Sequence, residues 1–220
     1  KKIKIIEDAC MGIGGSYNGK HPGTFGDIGA FSMHPLKSLN VMGDGGMIVT
    51  NNVKIYNWAL KYRNHGMSDR DHIDFWGVNM RLQPLQAIVA NHGLKKINRV
   101  ITVRNQNAKL LDSFLHNLYP NIILPKRDPM IKETFSLYMI ICKKRDQLKK
   151  YLLKKGIETK IHYPIPLHLQ KASKIYKYKK GDFPNSEKQA KQLLSLPVHQ
   201  FISKSQIIYM AKTIKEFYNK

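Results

Sequence analysis

The chain has 220 residues, 42% of them hydrophobic, and a formal net charge of +22. That length holds one large domain or two small ones, and that apolar share supports a packed core and excludes disorder over most of the chain. The basic residues are nearly all lysine and are spread along the chain without a stacking aromatic module, which reads as solvated surface and not as a nucleic-acid footprint.

The elements follow in chain order. Residues 3–6 read as a buried-type strand that ends in Glu7-Asp8. Glycines between positions 12 and 26 then punctuate a loop-rich stretch. Ile28–Met33 reads as a second strand, His34–Asp44 as a loop and Gly46–Thr50 as a third strand. Asn51-Asn52 turns into a helix over Val53–Arg63, followed by a loop over His65–Trp76. Apolar Leu85, Ile88, Val89 and Ile97, with His92, recur near a 3.6-residue spacing and predict a helix over Leu85–Asn98. Another helix is expected from Val103 to Leu118. After Tyr119-Pro120 the pattern changes. Thr134–Cys142 alternates like a strand, and Arg145–Lys155 reads as a helix stopped by Gly156. Ile161–Pro166 reads as extended. Ser186–Leu194 and Ser203–Tyr218 read as helices, the latter opened by Ser203 or Ser205. The order predicts an α/β part over residues 1–105 and a small α+β domain over residues 106–220.

No apolar run reaches the ~20 residues that cross a bilayer, so no membrane association is expected. The charged opening is no secretory signal, and it starts inside an element without an initiator methionine, so an upstream portion is expected to be missing. Cys10 and Cys142 form no CxxC pair, which points to a reducing cytoplasm. The histidines lack zinc-type spacing apart from His162 and His168, which flank two prolines, and no metal site is expected.

P-loop, HExxH and GxSxG motifs are absent, and Gly12-Ile13-Gly14-Gly15 is no dinucleotide fingerprint. What remains is Asp8 at a strand end and Lys37 in a loop between strands. In open α/β sheets ligands bind at strand ends. A lysine amine can bond the aldehyde of pyridoxal 5'-phosphate. A carboxylate beside the pyridine nitrogen keeps that nitrogen protonated, and the charged ring then withdraws electrons. By itself this pair is more simply read as two solvated loop charges.

The ordered blocks around the pair are more specific. They are Ile5-Ile6-Glu7-Asp8-Ala9, Gly23-Thr24-Phe25-Gly26-Asp27, Phe31-Ser32-Met33-His34-Pro35-Leu36-Lys37, Gly45-Gly46-Met47-Ile48-Val49-Thr50, Arg63-Asn64-His65-Gly66 and Gly77-Val78-Asn79-Met80-Arg81-Leu82. His162-Tyr163-Pro164-Ile165-Pro166-Leu167-His168 and Leu194-Ser195-Leu196-Pro197-Val198 extend the pattern. Over nearly its whole length the chain resembles the DegT/DnrJ/EryC1/StrS sugar aminotransferases. The resemblance implies the C-terminal part of a fold-type I large domain followed by a small α+β domain. It implies an enzyme that uses pyridoxal phosphate to move an amino group, with glutamate as donor, to a keto-sugar for amino-sugar or surface-polysaccharide biosynthesis. Lys37 matches the Schiff-base lysine and Asp8 the pyridine-nitrogen partner. Ser32 matches a phosphate-contacting hydroxyl. Asn79 matches an asparagine that reaches the cofactor phosphate of the neighbouring subunit, which implies a homodimer with shared sites. His34 either shapes the lysine loop beside the cofactor or is a packed loop histidine. Relatives that dehydrate carry histidine at the Lys37 position, so lysine selects transamination. Met11 departs from the pattern: the family commonly has glutamine there, whose amide helps hold the ring. Met11 motivates the alternative of a degenerate or regulatory non-catalytic paralog, or a basic anion-binding module.

Overall fold

The computed structural model describes residues 3–219. The chain divides into two compact units: residues up to Thr102 together with Asp128–Ser136, and Val103–Arg127 together with the residues from Leu137 onward.

In the first unit β1 (Ile6–Asp8), β2 (Ser16–Tyr17), β3 (Ile28–Ser32) and β4 (Gly46–Val49) precede α1 (Val53–Tyr62) and α2 (Pro84–Leu94). α3 (Ile97–Leu115) follows, and the division between the units falls within it. β1 runs parallel to β3 with Asp8 opposite Ala30, and β4 is antiparallel to β3 with Gly46 opposite Ser32. The first strand therefore lies at 6–8 and not at 3–6. Its isoleucines are not buried either, since Ile5 is 53% and Ile6 76% exposed. An apolar run implies burial only if something covers both faces, and among the described residues β1 pairs with β3 alone.

The helices show why the expected spans shift. Asn52 Oδ1 caps α1 by accepting from Lys54 N at 2.9 Å and Ile55 N at 3.2 Å. α2 opens at Pro84, where a missing N–H costs nothing. It ends at Leu94, four residues before the expected Asn98, and α3 starts at Ile97 instead of Val103. Gly93 is a poor helix former near that end. The new helix turns Ile97 and Ile101 onto Met33, Leu39, Val41 and Ala90 to form the unit's core. Leu85 and Ile88 of the expected apolar face stay 77% and 63% exposed.

In chain order the remaining elements are β5 (Ile122–Ile123), β6 (Ile131–Lys132), β7 (Tyr138–Cys142), α4 (Arg145–Lys154), α5 (Pro184–Gln192), β8 (Leu193–Leu196) and α6 (Lys204–Tyr218). Residues 128–136, expected in the C-terminal domain, belong to the first unit because β6 pairs with β2. The expected strand over Thr134–Cys142 begins only at Tyr138, since Phe135 adopts φ +45° and breaks the pleat. Two short 3-10 turns over Leu167–Leu169 and Lys171–Tyr176 follow the extended stretch.

The second unit is an antiparallel sheet in the order β5-β7-β8 with helices against it, an α+β arrangement. The expected helix over Ser186–Leu194 stops at Gln192, where the chain becomes β8 and pairs with β7. Tyr138, Ile140 and Cys142 alternate into the core with Leu148, Leu152, Leu194, Ile207 and Ile214. Burial pushes the Cys142 thiol up to about 11, as for an inert core cysteine. Gly156, at φ +75°, closes α4 as expected, and Ser203 rather than Ser205 caps α6.

Asp112 ties this unit together. Its carboxylate accepts from Arg127 Nε and Nη2, both at 3.1 Å, and from the fully buried Tyr138 hydroxyl at 2.6 Å. Asp112→Ala removes the acceptor from a buried hydroxyl, so a loss of about 2–3 kcal/mol is expected. A urea midpoint lowered with an unchanged slope checks it; an unchanged midpoint contradicts it.

Candidate active site

β1 and β3 run in the same direction, so Asp8 and Ser32 lie at their C-terminal ends. Successive strand side chains point to opposite faces. The two adjacent acids Glu7 and Asp8 are thereby given different tasks.

Glu7 is a structural acid. Its carboxylate accepts from Gly23 N at 2.7 Å and from Phe25 N and Gly26 N at 2.6 Å. That loop lies flat on β3: a Cβ on Gly29 would sit 2.4 Å from Gly23 Cα, and Gly23 itself is at φ +82°. The Gly26 N–H, with those of Gly23 and Phe25, holds the Glu7 carboxyl below its usual value. A depressed carboxyl contributes stability above its unfolded pKa, and that contribution is lost as pH falls through the folded value. The unfolding midpoint should therefore drop on acidification below about pH 4.3, the ordinary glutamate value. Glu7→Gln should flatten that acid limb, and equal acid slopes in both proteins would rule the assignment out.

Asp8 keeps a working carboxylate. Its Oδ1 accepts from Cys10 N at 3.1 Å. The Cys10 thiol and amide, with the nearby Lys37 charge, hold its carboxyl below the ordinary value. It is ionised at neutral pH. Cys10 and Ser32 line a shallow depression with Met11, Lys37, Ser38 and Ser136, beside Ile13 and Leu39.

The loop that carries Lys37 is anchored at both ends. Met33 is 3%, Leu39 2% and Val41 0% exposed, while the residues between are accessible. A turn over His34–Lys37 is closed by Lys37 N donating to His34 O at 2.8 Å. Leu36 N donates to His34 Nδ1 at 3.2 Å, and His34 N donates to Ser32 Oγ at 3.3 Å. His34 thus shapes the lysine loop and does not line the depression. Lys37 is half-buried and stands on this hydrogen-bonded turn.

Asn79 lies elsewhere in the first unit, exposed and bridged to Asn64. Arg81 Nε donates to Asn79 Oδ1 at 3.2 Å, and Arg81 Nη1 donates to Asn64 Oδ1 at 3.2 Å. Arg81 thus donates to the amide oxygen of the exposed Asn79, whose NH2 is a donor. Among the described residues no His/Cys/Asp/Glu cluster could hold a metal, and no helix is long and apolar enough to cross a membrane.

Sequence reasoning missed Cys10, Ser38 and Ser136 as lining residues. Cys10 and Ser38 sit beside residues already singled out. Ser136 is 98 positions from Ser38, and no local pattern links the two.

The sequence model of the DegT/DnrJ/EryC1/StrS aminotransferase family matches residues 1–215. A pleiotropic regulatory protein of Geobacillus stearothermophilus is 35% identical over 98% of the chain and 58% of its own length. A dTDP-3-amino-3,4,6-trideoxy-alpha-D-glucose transaminase of Streptomyces venezuelae is 30% identical over 98% of the chain and 56% of its own. The crystal structure of S. venezuelae DesV in complex with a ketimine intermediate superposes with a TM-score of 0.95 at 31% identity, covering 99% of this chain and 58% of that one. The chain spans less than three-fifths of the length of these relatives.

Proposed function

Because the chain belongs to the DegT/DnrJ/EryC1/StrS aminotransferase family, we propose that it binds pyridoxal 5'-phosphate at Lys37 and transfers an amino group from glutamate to a nucleotide-linked keto-sugar. The observation that carries this reading is the pairing of an ionised Asp8 at the end of β1 with Lys37 on the anchored turn after β3.

The residues present fit the cofactor. It needs an amine for its aldehyde, an anion for its ring nitrogen and donors for its phosphate. Lys37, Asp8 and Ser32 supply those three chemistries. When bound, pyridoxal phosphate supplies an electron sink for the carbon that gains or loses the amino group. Asp8, held in place by the Cys10 amide, would keep the ring nitrogen protonated. Lys37 Nζ would hold the cofactor through its aldehyde, and as a free amine would take and return the proton that moves during transfer. Ser32 Oγ, which already accepts from His34 N, has its own proton to offer a phosphate oxygen. The exposed amide of Asn79 supports a phosphate contact to a second copy, and hence a homodimer with shared sites.

The S. venezuelae relative is described as a transaminase of a dTDP-linked amino sugar, which favours a nucleotide-linked substrate here. A second reading, a regulatory paralog without turnover, is favoured by the description of the G. stearothermophilus relative and by Met11 at the glutamine position. One experiment separates them. The purified protein is mixed with pyridoxal phosphate, then with glutamate. A visible absorbance band that glutamate bleaches, and a dTDP-linked keto-sugar restores, supports the enzyme. A protein that forms no band contradicts the proposal.

A further inference from the structure

The structure assigns one more residue to the cofactor. We propose that Ser136, sharing its hydroxyl network with Ser38, donates to the anionic ring oxygen of pyridoxal phosphate and supplies the donor that Met11 lacks. The inference rests on the reading that Lys37 carries that cofactor.

Residues Asp128–Ser136 lie as a strap on the first unit. β6 pairs with β2, and Asn18 N donates to Met130 O at 2.9 Å. Beyond β6 the chain bends at Phe135, which is 7% exposed and holds φ +45°. A bulky residue in the left-handed region is strained and persists only where its surroundings over-determine it. Burial of the ring does so here, and the bend brings two hydroxyls to the site. Thr134 Oγ1 donates to Met11 O at 2.7 Å. Ser136 Oγ lies 3.4 Å from the same carbonyl, 3.4 Å from Thr134 Oγ1 and 3.3 Å from Ser38 Oγ. The strap thus joins the loop after Asp8 to the loop that holds Lys37.

Proton accounting shows what this network can offer. The three hydroxyls bring one proton each. That of Thr134 is committed to the Met11 carbonyl at a good length. The contacts of Ser136 and Ser38, at 3.3–3.4 Å, exceed the ordinary O–H···O range of about 2.5–3.0 Å. A ligand oxygen in the depression would therefore win a proton from this pair. In pyridoxal phosphate the ring nitrogen lies para to the aldehyde carbon and the ring oxygen ortho to it. With Asp8 at the nitrogen and Lys37 at the aldehyde, that oxygen belongs at the Lys37 end. Ser38 directly follows Lys37, Ser136 Oγ lies 3.3 Å from its hydroxyl, and both line the depression, whereas the Met11 thioether beside them carries no donor.

A donor to the ring oxygen stabilises its negative charge. It thereby eases loss of the proton that the lysine-bound nitrogen otherwise shares with that oxygen. The test is a pH titration of the visible spectrum of the purified holoprotein. Ser136→Ala should raise the midpoint by about one pH unit, the effect of losing one hydrogen bond to a charged acceptor. Ser136→Thr, which keeps a hydroxyl, should stay at the wild-type midpoint, and Ser136→Ala combined with Met11→Gln should move back toward it. An unchanged midpoint in Ser136→Ala overturns the proposal. So does weaker cofactor binding without a midpoint change, or an equal rise in Ser136→Thr. If Ser136→Ala fails to fold, Ser38→Ala replaces it: a rise supports the network and a fixed midpoint overturns it. A wild-type protein with no band that Lys37→Ala removes overturns the cofactor reading itself, a result distinct from a band whose midpoint does not move.

Discussion

Lys37→Ala is expected to abolish the visible band of the lysine-bound cofactor and to lower amino transfer by about 10⁴-fold, the upper end of what one proton-transferring group contributes. The loss should be chemical and not structural. Met33, Leu39 and Val41 bury the two ends of the loop, and the turn itself is closed by a backbone bond from Lys37 N to His34 O. Alanine keeps that N–H. The thermal midpoint should therefore stay near wild type while the band disappears. Pyridoxal phosphate should still associate, because Asp8 and Ser32 remain, but it should wash out on dialysis. Retention of a lysine-type band in Lys37→Ala would move the attachment to another amine. A collapse of the thermal midpoint would instead make Lys37 a structural residue.

The same loop shows what the sequence makes legible. Glycine and proline punctuation placed the Lys37 loop correctly between β3 and β4, because those residues act locally. The helix start at Asn51-Asn52 and the stop at Gly156 were readable for the same reason, while the choice between Ser203 and Ser205 needed the structure. Long-range pairing was not readable. β2 and β6 are two residues each and meet only because distant segments dock, so neither shows a period of its own. The helix pattern over 186–194 ran past its true end at Gln192, since pairing with β7 outweighed the propensity of Leu193 and Leu194 for helix.

The site was legible in part for a related reason. Asp8, Ser32 and Lys37 lie within 30 residues in a pattern of recognisable blocks, whereas Ser136 reaches the depression only through the docked strap. The resemblance assigned Asp8 and not Glu7 to the cofactor, but the sequence offered no role for Glu7. The three backbone donors on Glu7 show that its carboxylate is consumed by the glycine loop. Met11 is clarified as well. Its backbone carbonyl, and not its side chain, makes the polar contact, accepting from Thr134. Methionine therefore brings no side-chain donor to the depression it lines, while its carbonyl still ties the loop after Asp8 to Thr134.

Asp8→Asn tests the other half of the proposed pair. Asparagine has nearly the same shape and keeps an oxygen to accept from Cys10 N, the 3.1 Å contact that orients this side chain. What it loses is the negative charge. The carboxyl of Asp8 is held low by the Cys10 thiol and amide, with help from Lys37, so the wild-type side chain is an anion across the whole neutral range. Without that anion the ring nitrogen gives up its proton and withdraws electrons less strongly. Turnover is expected to fall about 10²–10³-fold, the scale of losing one preorganised electrostatic partner of a reacting group. The band at Lys37 should survive, since the amine and aldehyde are untouched. Because the carboxyl titrates below its usual range, wild-type kcat/KM should show no Asp8 limb near or above about pH 4, the ordinary aspartate value. Near-normal turnover in Asp8→Asn would remove Asp8 from the chemistry and leave it only its turn-forming bond to Cys10. Loss of the band together with turnover would mean that Asp8 is needed to bind the cofactor at all. Rescue of turnover by Asp8→Glu, where Asp8→Asn fails, would place the requirement on charge.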